Sequence, residues 1–221
     1  MKARVVAVDG PAGSGKSTVS RAVADALDLH TLDTGAMYRC VTLAALERGI
    51  DLDDADALAA LADTVELELV DGLVVLDGRD VSAAIRGPDV TGSVSAVARR
   101  PEVRAVLVAR QRAWVTRHDG GVVEGRDIGT VVFPDAPVKV FLTARDEVRA
   151  ARRHRDEEAA DRGTDVNAVL TAIDARDTAD ASLGRAIRPE DAATDAIVID
   201  TTSLSVDEVV ALIVERASMA G

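Results

Sequence analysis

The strongest constraint on this chain is the stretch Asp9-Gly10-Pro11-Ala12-Gly13-Ser14-Gly15-Lys16-Ser17-Thr18, because of what stands on either side of it. Arg4-Val5-Val6-Ala7-Val8, just before it, is a short apolar run of the kind that forms a buried strand. Just after it, Val19, Ala22, Val23, Ala26 and Leu27 recur at helical spacing over Thr18 to Leu27. Between them, Gly10-x-x-x-x-Gly15-Lys16-Ser17 fits the phosphate-loop pattern. Glycines let such a loop approach a phosphate closely and turn its N–H groups inward. The following helix presents its positive end to the same anion. Lys16 is then placed to reach the β- and γ-phosphates, and the Ser17 hydroxyl to ligate Mg²⁺. Gly10, Pro11, Ala12, Gly13, Ser14, Gly15, Lys16, Ser17 and Thr18 together form a candidate ATP site.

The rest of the chain alternates strand-like and helix-like segments. Helical spacing covers Thr34 to Glu47, Asp54 to Asp63, Val103 to His118, Asp146 to Arg155, Val166 to Arg176 and Val206 to Ala217. Val122-Val123, Val138 to Leu142 and Ala196 to Asp200 read as short buried strands. Val65 to Val70 and Leu73 to Leu76, parted by Asp71-Gly72, read as a hairpin with a primed turn and so as a small antiparallel insertion. Strand–helix alternation with a phosphate loop after the first strand implies a doubly wound α/β sheet in a single domain, 1–221.

Composition narrows the function. A formal charge of −12 argues against a nucleic-acid surface or an anionic membrane as partner. Aromatic residues are only 2% of the chain, so its core must be Val, Leu, Ile and Ala. Its three lysines are Lys2, Lys16 and Lys139, and arginine carries the remaining positive charge. Arginine pairs bidentately with phosphate, although a general preference for Arg over Lys explains the count equally well. A single cysteine, Cys40, excludes an intrachain disulfide. With no apolar stretch long enough to span a bilayer and no signal-peptide pattern at the start, the expectation is a cytoplasmic protein. An Asn/Thr-Lys-x-Asp base-reading motif is lacking, which speaks against a GTPase, and a one-domain chain suits a small-metabolite kinase.

Leu32-Asp33-Thr34-Gly35-Ala36-Met37-Tyr38-Arg39 follows the first helix. By itself it fits a helix N-cap, with Asp33 or Thr34 accepting from the first helical N–H groups. Taken with the phosphate loop, with Gly125-Arg126-Asp127-Ile128-Gly129-Thr130-Val131-Val132-Phe133-Pro134-Asp135-Ala136, with Pro101-Glu102-Val103-Arg104 leading to Arg110-Gln111-Arg112, and with Asp200-Thr201-Thr202-Ser203-Leu204-Ser205, it closely resembles the bacterial cytidylate kinases. The resemblance runs essentially from end to end.

That resemblance implies a P-loop nucleoside monophosphate kinase fold: a parallel five-stranded sheet flanked by helices, a monophosphate-binding insertion at 64–92 and a lid at 152–165. It implies ATP-dependent phosphorylation of CMP and dCMP, with Mg²⁺ held through Ser17 and Asp33; nothing in the sequence demands more than a monomer. Acceptor-site residues are expected at Asp33, Thr34, Tyr38, Arg39, Ser95, Arg104, Arg126, Asp127, Arg176, Asp180 and Arg185. Of these, Thr34 and Ser95 would meet the base, and Arg39 and Arg104 the monophosphate or base. Asp127 and Asp180 would lie near the sugar, and Arg176 and Arg185 on phosphates. Lys16, Arg126, Asp127, Arg176 and Arg185 are the expected catalytic set. For Arg104, Arg110 and Arg112 a solvated helix face remains the alternative, and for Arg126-Asp127 a mutual ion pair.

The chain departs from the family pattern after Asp180. It runs about two residues longer before its next arginine, which leaves Arg185 or Arg188 for the phosphate. Glu124 stands where some members have Asp. His30, His118 and His154 read as surface or linker residues. The acceptor's phosphate is its own nucleophile; with a second pKa near ~6 it is mostly ionised at pH 7, so the chemistry asks for no general base. Arg152, Arg153 and Arg155 are the expected lid cations, unless they only pair with Asp156, Glu157 and Glu158 on a charged helix surface. The remaining alternatives are a kinase with a uridylate, adenylate or shikimate acceptor, or a non-catalytic nucleotide switch.

Overall fold

The computed structural model describes residues 4–70, 72–159, 166–182, 185 and 188–220, without the side chains of 156–159, 166–168, 172 and 176. In chain order its elements are β1 (Arg4–Asp9), α1 (Lys16–Leu27), β2 (Thr31–Asp33), α2 (Thr34–Glu47), α3 (Ala55–Thr64), β3 (Leu67–Val70), β4 (Leu73–Leu76), β5 (Arg79–Asp80), α4 (Pro88–Ala98), α5 (Pro101–Arg117), β6 (Gly120–Glu124), β7 (Val138–Thr143), α6 (Asp146–Ala159), α7 (Val166–Ala181), β8 (Ile197–Asp200) and α8 (Val206–Ala220). A five-stranded sheet has the order β2-β6-β1-β7-β8. β1 pairs in parallel with β6 on one side and β7 on the other, and β7 pairs in parallel with β8. This is the α/β sheet that the alternation of segments implies. β1 lies where the chain changes direction across the sheet, and in such sheets ligands bind beyond the carboxyl ends of the strands at that point.

Contacts divide the chain into two units, residues 1–30 with 120–221, and residues 31–119. In the first, Val6, Val8, Val122, Val138, Val140 and Leu142 on the strands pack with Val19 and Val23 of α1 and Val209 and Ile213 of α8. Strands covered on both faces have no solvent side, which is why they read as continuous aliphatic runs rather than alternating ones. Burying each such side chain is worth about 1.5–3 kcal/mol.

The second unit is mostly helical and carries the antiparallel sheet β3-β4-β5. Val70 pairs with Leu73, so the hairpin register expected from the sequence is present; Asp71 lies outside the described residues. Val65 is not in the strand but ends α3, its N–H donating to Leu61 O at 3.0 Å. α4 is a helix not among those expected from the sequence. It is built around Gly92 and three β-branched residues, Val90, Val94 and Val97, all poor helix formers. Those valines recur every three or four residues and are buried, so packing overrides propensity.

Within this unit α5 shows its buried face at Val103, Leu107, Gln111 and Val115, one position per turn. Arg110, next to that face, is half-buried and turned onto the end of α3. It donates to Ala62 O at 2.6 Å and Val65 O at 2.9 Å, closing the carbonyl end of α3. A helix C-terminus carries orphan carbonyls and partial negative charge, and a guanidinium meets both needs. Replacing Arg110 by Met should therefore lower the chemical-denaturation stability by about 1.5–3 kcal/mol, the worth of hydrogen bonds to a charged group. An unchanged denaturation midpoint would show that these bonds contribute nothing.

Candidate active site

The phosphate loop joins β1 to α1 as the sequence implies. Gly10 and Gly13 have φ of +144° and +74°, and a Cβ at either would lie 2.1 Å from Leu142 O or 2.6 Å from Arg149 O. Only glycine allows both the backbone conformation and those approaches. Gly15 takes the N-cap position of α1 in a left-handed conformation, and no side chain caps that end. A helix N-terminus without a capping side chain leaves first-turn N–H groups of the kind that bind anions. Lys16 Nζ donates to Pro11 O at 2.7 Å, folding the lysine back over its own loop. Ser14 Oγ is buried in the cradle with no hydrogen-bond partner among the described residues.

The carboxyl end of β6 supplies Glu124, and its Oε2 accepts from Ser17 Oγ at 2.9 Å. Glu124 is 6% exposed, so the loop hydroxyl is tied to a buried carboxylate. The extra methylene relative to Asp does not prevent that contact. An all-oxygen pair of this kind suits a hard divalent cation such as Mg²⁺. No group of three or more His, Cys, Asp or Glu side chains suited to a metal occurs among the described residues. Phosphate oxygens and water must then complete any coordination sphere, as they commonly do for Mg²⁺.

Gly125 to Pro134 continues from β6 as the second wall of the site. Asp9, the last residue of β1, accepts from the backbone N–H of Ile128 through Oδ1 and of Gly129 through Oδ2, both at 2.8 Å. The chain then makes one wide helical turn, Ile128–Val132, in which Phe133 N–H donates to Ile128 O at 2.7 Å. The far end is fastened by Lys139, whose Nζ donates to Pro134 O and, at 2.9 Å, to Asp195. So fixed, the segment presents Arg126 and Asp127, the latter 8% exposed.

Arg126 does not simply pair with its neighbour Asp127. Its Nη1 lies 3.2 Å from Asp177 Oδ1 and its Nη2 3.4 Å from Asp180 Oδ2, both on α7. Asp177 also takes Arg149 of α6 at 2.5 Å, and Asp180 takes Arg185 at 2.6 Å. Arg149 reaches on to Ala12 O of the phosphate loop at 2.9 Å. Burial depresses its pKa, but the carboxylates of Asp146 and Asp177 outweigh that and leave it raised. Arg185 is buried in this cluster and Arg188 is exposed, so Arg185 is the arginine that the fold places here. The Arg176 side chain lies outside the described residues, as do residues 160–165 of the expected lid and the side chains of Asp156, Glu157 and Glu158. Arg152, expected to belong to that lid, bonds Thr201 Oγ1 at 2.8 Å and Thr201 O at 2.7 Å. Thr201 Oγ1 in turn donates to Ser14 O at 3.1 Å.

In the 31–119 unit, Asp33 is the N-cap of α2, its Oδ1 accepting the Ala36 N–H at 3.0 Å. Thr34 is 4% exposed. Tyr38, Ser95 and Arg104 are half-buried. Arg39 is buried, and its Nη1 donates to Ile85 O at 2.8 Å and Thr91 Oγ1 at 2.9 Å. That ties this arginine to the segment after β5. Among the histidines, His118 stacks on Trp114 at 4.1 Å and His30 is exposed. Sequence reasoning assigned no role to Asp9, Arg149 or Asp177. For Asp177 the available signal was its i, i+3 spacing to Asp180, which puts two acids on one helix face in an arginine-rich region.

A phosphate loop beyond a parallel sheet, facing a loop that carries Arg126 and Asp127 and a cluster that adds Arg149, Arg185, Asp177 and Asp180, defines a P-loop phosphotransferase. A sequence model described as Cytidylate kinase matches residues 6–219. The chain belongs to the cytidylate kinase family. It is 48% identical to the cytidylate kinase of Rhodococcus jostii (strain RHA1), the match covering 98% of this chain and 97% of that one. It is 50% identical to the cytidylate kinase of Mycobacterium avium (strain 104), over 93% and 91% of the two chains. Among solved structures, a gluconokinase from Sinorhizobium meliloti 1021 shares the fold, with a TM-score of 0.50, 16% identity and 99% and 91% of the two chains covered.

Burial pushes the Asp9 carboxyl up to about 6, with the Gly129 and Ile128 N–H groups opposing, nearby Asp127 adding and Lys16 opposing. A raised native pKa means the folded state binds more protons than the unfolded one between pH ~4 and ~6, so stability falls as pH rises through that window. The Asp9 side-chain carbon should titrate near pH 6 in ¹³C NMR, and ionising it should cost about 3 kcal/mol of native stability. A midpoint at the ordinary value of 3.8 would contradict this.

Proposed function

We propose that this protein transfers the γ-phosphoryl group of ATP to the phosphate of CMP and dCMP, giving CDP and dCDP. Apart from family membership, the observation that carries the reading is the cluster of Arg126, Arg149 and Arg185 beside the phosphate loop, held in place by Asp177 and Asp180. Arginines gathered in one site are suited to bidentate recognition of a second phosphate.

In this reading Gly10 to Thr18 cradle the ATP phosphates, and Lys16 turns from Pro11 O to the β- and γ-phosphates. Arg126, Arg176 and Arg185 meet the charge that builds on the transferring group, where a preorganised cation is worth most. Asp127 and Asp180 accept from sugar hydroxyls. Asp33, Thr34, Tyr38, Arg39, Ser95 and Arg104 bind the acceptor's base and phosphate. The acceptor phosphate is mostly ionised at pH 7, with a second pKa near ~6, so it attacks without a base. That fits a cluster built of arginines and acids with no histidine. Ser17 and Glu124 would hold Mg²⁺, with Asp33 as the further candidate ligand. Once bound, the ion neutralises phosphate charge. Segments 64–92 and 152–165 are assigned to acceptor binding and to the lid. The same reading takes the protein to be a cytoplasmic monomer.

The test is ADP release from ATP and Mg²⁺ across CMP, dCMP, UMP, AMP and shikimate. CMP and dCMP should lead clearly. Lys16→Met should lower kcat by about 10²-fold or more, as loss of one donor to a transition-state charge does. ADP release that ignores the acceptor, or a Lys16→Met enzyme of wild-type rate, overturns the reading.

A further inference from the structure

The cluster contains one residue for which the scheme above has no use. Asp177 touches neither the phosphate loop nor, in that scheme, a substrate. Yet it is 7% exposed and both its oxygens are engaged by arginines of different elements. Oδ1 meets Arg126, on the segment after β6, and Oδ2 meets Arg149, on α6. Arg149 carries the connection further: the same Nη1 that meets Asp177 donates to Ala12 O, and its backbone lies so close to Gly13 that a Cβ there would collide with it. A chain of short contacts thus runs from the loop that holds the donor phosphates, through Arg149 and Asp177, to Arg126.

We propose that Asp177 is a positioning residue for phosphoryl transfer, fixing the Arg126 guanidinium relative to the phosphate loop through Arg149. The proposal rests on the reading of Arg126 as a phosphate-binding arginine. Three guanidinium groups close together in a nearly dry site repel one another, and an arginine side chain left to itself samples many rotamers. A carboxylate shared between two of them removes both problems: it offsets charge and fixes the plane of each fork. Arg126 has five N–H donors and commits at most two of them to Asp177 and Asp180, one on each Nη, so the remainder can serve a phosphate. Asp146 also reaches Arg149 but from an exposed position, with 76% of its side chain accessible.

The experiment is a double-mutant cycle on the full chain, read as the single-turnover rate with saturating ATP and CMP and as the Kd for CMP. Asp177→Asn keeps the shape, removes the charge and leaves one acceptor. It should slow transfer by about tenfold or more, since small misplacements of a reacting geometry cost up to about 10²-fold. The KM for ATP should change much less than the rate. In an Arg126→Met background the same Asp177→Asn change should cost less than about twofold, because the group it positions is gone. Asp177→Glu should recover part of the rate. If Asp177→Asn fails to fold, Arg149→Gln tests the other side of the contact and should show the same dependence on Arg126. Equal rate losses with and without Arg126, or no loss at all, overturn the proposal. A wild-type enzyme that does not phosphorylate CMP, or an Arg126→Met enzyme of undiminished rate, overturns the functional reading instead.

Discussion

Two neighbouring backbone N–H groups, of Ile128 and Gly129, share the carboxylate of Asp9, and the walls of the site depend on that attachment. Asp9 ends the strand from which the phosphate loop departs, and Ile128 and Gly129 belong to the segment carrying Arg126 and Asp127. One side chain therefore fixes the nucleotide loop to the loop that faces it. A carboxylate accepting two N–H groups is a rigid joint, because its oxygens and the two donors lie close to one plane. Putting an acid there is unfavourable in itself, as its raised pKa records. The two hydrogen bonds offset that cost in part.

From this joint the electrostatic design spreads outward. The chain as a whole is strongly acidic, at −12, and the cations around the phosphate loop are individually matched. Lys16 meets Pro11 O, Arg149 meets Ala12 O and Asp177, Arg185 meets Asp180, and Arg152 meets Thr201. Unmatched cations would be expensive to bury; matched, they are held in place. Where an arginine serves only the scaffold the partners differ. Among the described residues Arg110 donates to carbonyls at the end of a helix, a fixed backbone acceptor set.

Much of the fold was legible because its signals are local. The buried strands β1 and β7 appear as aliphatic runs, α1 as a 3.6-residue rhythm, and the Asp71-Gly72 hairpin as a register that β3 and β4 adopt. α4 was not expected, since valine and glycine are poor helix formers, although Val90, Val94 and Val97 recur at helical spacing and are buried. Val65 looked like part of a strand because it is apolar and β-branched, but its N–H was needed to close α3. In the site, the phosphate loop could be read residue by residue, including the lysine and the hydroxyl. Arg185 could not be chosen over Arg188 from spacing alone; burial beside Asp180 separates them.

The sequence by itself determined the phosphate loop, the strand before it and the helix after it, because glycine conformation, helix polarity and apolar spacing act over a few residues. It also determined the family, through motifs that survive as contiguous text. The tertiary structure alone decided which carboxylate holds which arginine. Arg126 and Asp177 are 51 residues apart, Arg149 and Ala12 are 137 apart, and Asp9 lies 119 residues before Ile128. Such pairs carry no local signature. A charge on a helix face looks the same in sequence whether it points to water or into a core, and the difference is made when distant strands and helices pack and water is excluded between them.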